Sequence, residues 1–155
     1  MRVLTIVLIL LSRTTVAQTP APTVLDTVKV TAMARSGFEH RRRSSGSGRF
    51  LTPADITRGS PTFASEIFRN VQGVSVANGI KIRGPFGDCA PALYINGQYL
   101  PAPRTGFRAA DLDMWMSPAE IAGVEIYFDA VPPEFQQPLS GCGAIVIWKK
   151  QNLSP

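Results

Sequence analysis

Few residues of this chain have the chemistry for catalysis or metal binding. Cys89 and Cys142 are its two cysteines, His40 its one histidine, and Asp111 and Asp113 a pair of carboxylates one residue apart. A hydrolytic or transfer site needs a nucleophile, a base and a group that orients the base. His40 stands in a run of arginines, and Asp111 with Asp113 reads as a solvated turn rather than a carboxylate dyad. A metal centre asks for more ligands than one histidine and two cysteines supply. The pattern argues against an enzyme and implies neither a metal nor a cofactor.

What the cysteines do depends on where the chain goes. Met1 and Arg2 are followed by an apolar run over residues 3–11, then by the small residues Thr15 and Ala17. This is the pattern of a secretory signal peptide over 1–17, with an apolar run too short to cross a bilayer, which takes roughly 20 residues. Export puts Cys89 and Cys142 in an oxidising compartment, where a disulfide is the expectation. Closing a loop of about 54 residues is worth roughly 4 kcal/mol in the chain-entropy account. Metal ligation and a reactive thiol pair are the other readings of the two cysteines.

The 155 residues carry 16 basic and 11 acidic side chains, a net charge of +5 that falls to +3 once Arg2 and Arg13 leave with the signal peptide. That mild excess, with no aromatic platform among the arginines, does not suit a nucleic-acid partner. The expected layout is a flexible N-terminal segment over 18–49, one small domain over 50–150 and a tail over 151–155. Residues 25–32 are β-competent, suited either to a first strand or to pairing with the edge of another protein's sheet. Arg35, Arg41, Arg42, Arg43 and Arg49, interleaved with Gly and Ser, read as a solvated linker.

Elements must then frame the central stretch 80–100. Two strands are expected at 80–83 and 92–100, joined by a loop holding Gly84, Pro85, Gly87, Cys89 and Pro91, and together forming one small sheet. Asn96-Gly97 is suited to a type I′ turn inside the second strand. Thr52-Pro53-Ala54-Asp55 and Ser117-Pro118-Ala119-Glu120 are helix starts with proline at the first helical position, the second with room for about a turn and a half before Gly123. Phe63, Ile67, Phe68 and Val71 recur at helical spacing up to Gly73. A hairpin is expected across Asn78-Gly79, a strand over 124–128, and a buried central strand over 144–148. The class is α+β, a small mixed β-sheet with short helices on one side.

In this order the residues resemble the plug domain of TonB-dependent outer-membrane receptors, over about 25–150. Asp26-Thr27-Val28-Lys29-Val30-Thr31-Ala32 looks like the TonB box. Residues 67–76, I-F-R-N-V-Q-G-V-S-V, are similar to the family's L-R-x-V-P-G-V-x-V, with Gln72 in place of proline. I-K-I-R-G at 80–84 and L-Y-I-N-G at 93–97 match V-x-I-R-G and L-Y-I-D-G, and residues 117–126 with 143–150 match the family's closing segments. The resemblance implies a plug-like fold, export to the periplasm or the periplasmic face of a Gram-negative-type outer membrane, and a TonB-type periplasmic partner. It also implies an outer-membrane barrel partner and a ligand of unknown identity, met by the loops holding Pro85, Phe86, Asp88, Arg104 and Arg108. Arg83, Gly84, Asn96, Gly97 and Glu125 carry its plug motifs, and Arg83 and Glu125 would belong to a charged cluster seating the plug on its barrel.

Two departures qualify it. Tyr127-Phe128-Asp129 stands where the family has x-R-G, so the second arginine of that cluster is missing. Only residues 151–155 follow Lys150, where a transporter needs around 22 barrel strands. The expectation is a free-standing plug-like protein stabilised by Cys89 and Cys142, with a truncated transporter gene as the competing account.

Overall fold

The computed structural model describes residues 37–44, 46–84, 87–103, 106–137 and 142–150. The expected signal peptide, the segment 26–32, and Pro85, Phe86 and Arg104 lie outside the described residues. In chain order the elements are α1 (Phe38–Ser44), β1 (Gly48–Leu51), α2 (Pro53–Thr57), a 3₁₀ turn at Ala64–Phe68, β2 (Val74–Ser75), β3 (Lys81–Gly84) and β4 (Gly87–Cys89). They continue with β5 (Ala92–Ile95), β6 (Gln98–Leu100), α3 (Ala109–Trp115), a 3₁₀ turn at Pro118–Glu120, β7 (Ile121–Tyr127), a 3₁₀ turn at Pro133–Phe135 and β8 (Ala144–Lys149).

Five strands form a sheet in the order β1-β7-β8-β5-β6, and β2-β3-β4 form a second. β5 runs parallel to β8 and the other pairs are antiparallel, so the larger sheet is mixed, as expected for this α+β class. β8 is its middle strand, which suits the apolar run Ala144–Trp148. Period-two alternation sorts its side chains cleanly. Val124, Ile126, Ile145, Ile147 and Leu93 face the main core, where Ile56, Phe68, Val71, Ile82 and Leu112 cover them. Tyr94, Tyr127, Ala144 and Val146 face the other way, into an aromatic layer shared with Phe50, Phe135 and Trp148.

Local chemistry set several boundaries as the residues suggest. Thr52 Oγ1 accepts from the Asp55 amide while Asp55 Oδ2 accepts from the Thr52 amide, a reciprocal cap on α2. Asn96 and Gly97 take φ of 51° and 80° between β5 and β6, the left-handed pair of a type I′ turn. Gly79 turns the chain between β2 and β3, with φ of 99°.

Tertiary pairing overrode other expectations. The strands near 80 and 92 do not share a sheet: β3 pairs with β2 and β4, while β5 pairs with β6 and β8. The Ser117 cap opens only the three-residue turn Pro118–Glu120, because Ile121 is already paired with Lys149 of β8. The segment 63–71 forms the short turn Ala64–Phe68 rather than a helix, burying Phe68 and Val71 and leaving Phe63 about half exposed, at 52%. Asp111 and Asp113 lie in α3 rather than in a solvated turn, where Asp113 accepts from the Ser65 amide at 2.7 Å and its hydroxyl at 2.9 Å. Over 38–44 the arginine run is no linker: it is α1, packed on the aromatic face, so the large sheet is covered on both sides.

Candidate functional site

The aromatic face holds a fully buried carboxylate. Glu125 and Tyr127 are two apart on β7 and so point to the same side, and Trp148 of β8 points there too. Glu125 is fully buried. A carboxylate so placed needs a counter-charge and hydrogen bonds for both oxygens.

α1 supplies the charge. Glu39 pairs with Arg42 at 2.9 Å on the solvent side, while Phe38 and Arg41, three apart, turn inward. Phe38 stacks edge-on to Phe50, with ring centres 5.6 Å apart, above Gly123, where a Cβ would press on the Phe38 ring. Arg41 then reaches Glu125 with both arms of its fork, Nε to Oε2 at 2.8 Å and Nη2 to Oε1 at 2.7 Å. The bidentate, charge-assisted geometry is the strong form of this pair. Tyr127 donates its hydroxyl to Oε2 and Trp148 its indole N–H to Oε1, each at 2.5 Å. The guanidinium carbon lies 5.0 Å from the Phe135 ring centre and 5.7 Å from that of Trp148, within cation–π range.

Four donated hydrogen bonds fill the acceptor capacity of the carboxylate. Its hydrogen bond holds the Arg41 guanidinium above its already high ordinary value, against the opposing effect of burial. Burial, and then the hydrogen bond to Glu125, push the Tyr127 hydroxyl well above the usual tyrosine range. Both carboxylate oxygens of Glu125 are thus engaged within the chain itself. The whole is an ion-holding cage, at whose solvent rim Arg41 Nη1 also faces Glu134 at 3.4 Å.

The residues singled out from sequence fall in different places. Glu125 anchors the cage, but Arg83 does not join it: Arg83 is exposed on β3 and faces Asp88 of β4 at 3.6 Å, an exposed pair of little energetic weight. Gly84 leaves room for the Cys89 sulfur, which would lie 3.1 Å from an added Cβ. Cys89 and Cys142 are disulfide-bonded, with Cα atoms 5.8 Å apart. Asn96 Oδ1 accepts from the Lys149 amide at 2.8 Å, and Gly97 sits against the Trp148 ring, so both brace the cage strand from its far end. Asp88 is exposed, and Arg108 is held by Asp111 at 2.7 Å as part of the α3 cap. The Arg108 hydrogen bond, ahead of the backbone one, keeps the Asp111 carboxyl below its usual range.

Sequence reasoning missed Arg41, Tyr127 and Trp148 as partners of Glu125, Phe135 as a ring against the Arg41 guanidinium, and Phe38 as the residue that docks α1. The available signal was local: Glu39 with Arg42 and Arg43 at helical spacings, and a lone Phe38 three residues before Arg41. Elsewhere an open cleft of about 500 Å³ lies beside α2, but Arg58 there pairs with Asp55 and Arg69 with Glu66. Among the described residues no group of three or more His, Cys, Asp or Glu could hold a metal, and no helix is long and apolar enough to cross a membrane.

No protein-family model matches the chain, and no curated protein matches it. Solved structures do. A mutant ferric enterobactin receptor, PfeA, from Pseudomonas aeruginosa superposes with a TM-score of 0.55 at 19% identity, over 74% of this chain and 19% of that one. Another PfeA mutant, in complex with enterobactin, gives a TM-score of 0.52 at 20% identity, over 68% of this chain and 18% of that one. The chain thus spans less than a fifth of the length of these receptors, and what it shares with them is the α+β fold of a plug-like domain.

Proposed function

We propose that this chain is a non-enzymatic, plug-like module of the outer-membrane uptake system, exported to the periplasmic side and engaged there by a TonB-type protein. The observation that carries the reading is a plug-like fold shared with outer-membrane siderophore receptors, in a chain whose TonB-box-like, I-R-G and Y-I-N-G segments follow in the order the resemblance requires. Residues 26–32 would add a strand to the partner's sheet, an interaction carried by backbone hydrogen bonds. A separate outer-membrane barrel is the second proposed partner. The segment 85–91, expected as a loop but carrying β4 at Gly87–Cys89, and the segment 101–108 are where a ligand would be met, with Asp88 of β4 as an exposed acid.

Fractionating cells that produce the chain, with Val28→Cys as a disulfide trap for a cysteine-bearing TonB, tests this. Recovery with the outer membrane together with a trapped adduct is expected. A chain found soluble in the periplasm that never traps TonB overturns the reading.

One observation favours a second reading, that of a periplasmic interaction module sharing only the fold. Glu125, expected to help seat a plug on its barrel, has its acceptor capacity filled by Arg41, Tyr127 and Trp148 of the same chain. Co-purification of a barrel with the chain would count against it.

A further inference from the structure

The cage has the composition of a receptor for one chemical group. Its floor is a fully buried carboxylate whose two oxygens accept in parallel from a planar fork. Two aromatic rings, Phe135 and Trp148, stand at 5.0 and 5.7 Å from the carbon of that fork, and the Tyr127 hydroxyl and Trp148 indole fix the carboxylate from the sides. A compact ammonium could satisfy the charge but neither the paired oxygens nor both ring faces; a guanidinium satisfies all three. We propose that the cage is a guanidinium-binding site whose resident occupant is Arg41 in cis, and that vacating Arg41 opens it to a guanidinium group supplied in trans.

The way Arg41 is delivered supports exchange. It sits on a helix of seven residues, about half the length that holds a helix together alone in water, so α1 depends on what it docks into. Gly37, at φ of 67°, starts this helix by accepting from the Arg41 amide at 2.9 Å, and a Cβ there would strike the guanidinium. Its docking rests on Phe38 edge-on to Phe50, on Arg41 in the cage, and on the pairing of Arg41 with Glu134 at the rim. The rest of the pocket is carried by β7, β8 and the turn at Pro133–Phe135 rather than by α1. Its shape therefore does not require the occupant to be residue 41 of the same chain. The site stands on this geometry alone, whatever engages residues 26–32.

Chemical rescue tests it. Whole-chain variants Arg41→Ala and Arg41→Gln, the second keeping an amide donor for the carboxylate, are titrated with guanidinium chloride and with N-acetylarginine amide. Methylammonium chloride and sodium chloride at equal ionic strength serve as controls. The thermal midpoint and tryptophan fluorescence are followed together. A gain of about 5 °C is expected for either variant at ten times the dissociation constant of the guanidinium compound, with a fluorescence change that tracks it. The unsubstituted chain, its site filled, should not respond. Should neither variant fold unaided, folding that appears only with the guanidinium compound is expected in circular dichroism. Equal responses to methylammonium, no response at all, or a response that survives adding Glu125→Gln would each overturn the assignment.

Discussion

A fully buried carboxylate has only the partners its fold provides, and Glu125 receives its counter-charge from 84 residues away, at Arg41. Removing Arg41 leaves that carboxylate buried without its counter-charge, so Arg41→Ala should cost about 3–5 kcal/mol in urea unfolding, and Glu125→Ala should cost less, because Arg41 keeps Glu134 at 3.4 Å. Changing both should cost clearly less than the sum, with a coupling of about 2 kcal/mol or more in the cycle. Tyr127 adds a pH signature. Its folded value is raised above the usual 10.0 by burial and by the hydrogen bond to Glu125. The folded state therefore keeps a proton that the unfolded chain releases. Stability from this group is complete below about pH 10 and falls as pH climbs from there toward the raised folded value, at up to about 1.4 kcal/mol per pH unit. Tyr127→Phe should unfold without that alkaline slope; equal slopes in both proteins would refute it. Residue spacing hints at the helix that carries Arg41, through Glu39 with Arg42 and Arg43, but not at its partner Glu125. Arginine next to arginine looks like repulsion in water, and only the placement of β7 beneath α1 turns Arg41 into an ion-pair partner.

Elements were legible where a few neighbouring residues decide them. The reciprocal Thr52–Asp55 cap and the Asn96-Gly97 turn depend on side chains and dihedrals within four residues, and both stand where the sequence puts them. β8 was readable because a middle strand covered on both faces needs no polar side. α1 and α3 were not, since each is seven residues long and takes its support from distant partners, Glu125 and Ser65 respectively. The Ser117 cap was read correctly as a start but not as a three-residue turn, because pairing of Ile121 with β8 is a long-range fact. The Thr52 cap can be tested in isolation from the cage. Thr52→Ala should cost about 1 kcal/mol, measured by chemical denaturation. Asp55 is held below its usual range first by the Thr52 hydroxyl. Its contribution is present above the ordinary carboxylate value and lost as pH falls through the lowered folded one. Thr52→Ala should therefore also flatten the acid limb of the stability curve; an unchanged limb would mean that the cap contributes nothing there.

At the scale of the whole molecule two sheets must act as one body, and the covalent tie between them is Cys89–Cys142. Cys89 closes β4 in the three-stranded sheet, and Cys142 lies two residues before β8, the middle strand of the larger one. The small sheet is the more dependent partner. β2 has two residues and β4 three, and of its side chains Ile82 reaches the main core while Arg83 and Asp88 stand in solvent. Three such short strands cannot hold together by hydrogen bonds alone. The bridge spans a sequence separation of 53 residues, for which loop-closure entropy gives roughly 4 kcal/mol. Cys89→Ser with Cys142→Ser should lower stability by about that amount. The loss should also be uneven: amide exchange in β2–β4 should quicken far more than in β7 and β8, which keep their ladder and both their covered faces. Uniform quickening across both sheets would mean that the bridge acts only on the unfolded chain. A folded reduced protein with a loosened small sheet would instead show that oxidation sets the rigidity of the face that presents Arg83 and Asp88.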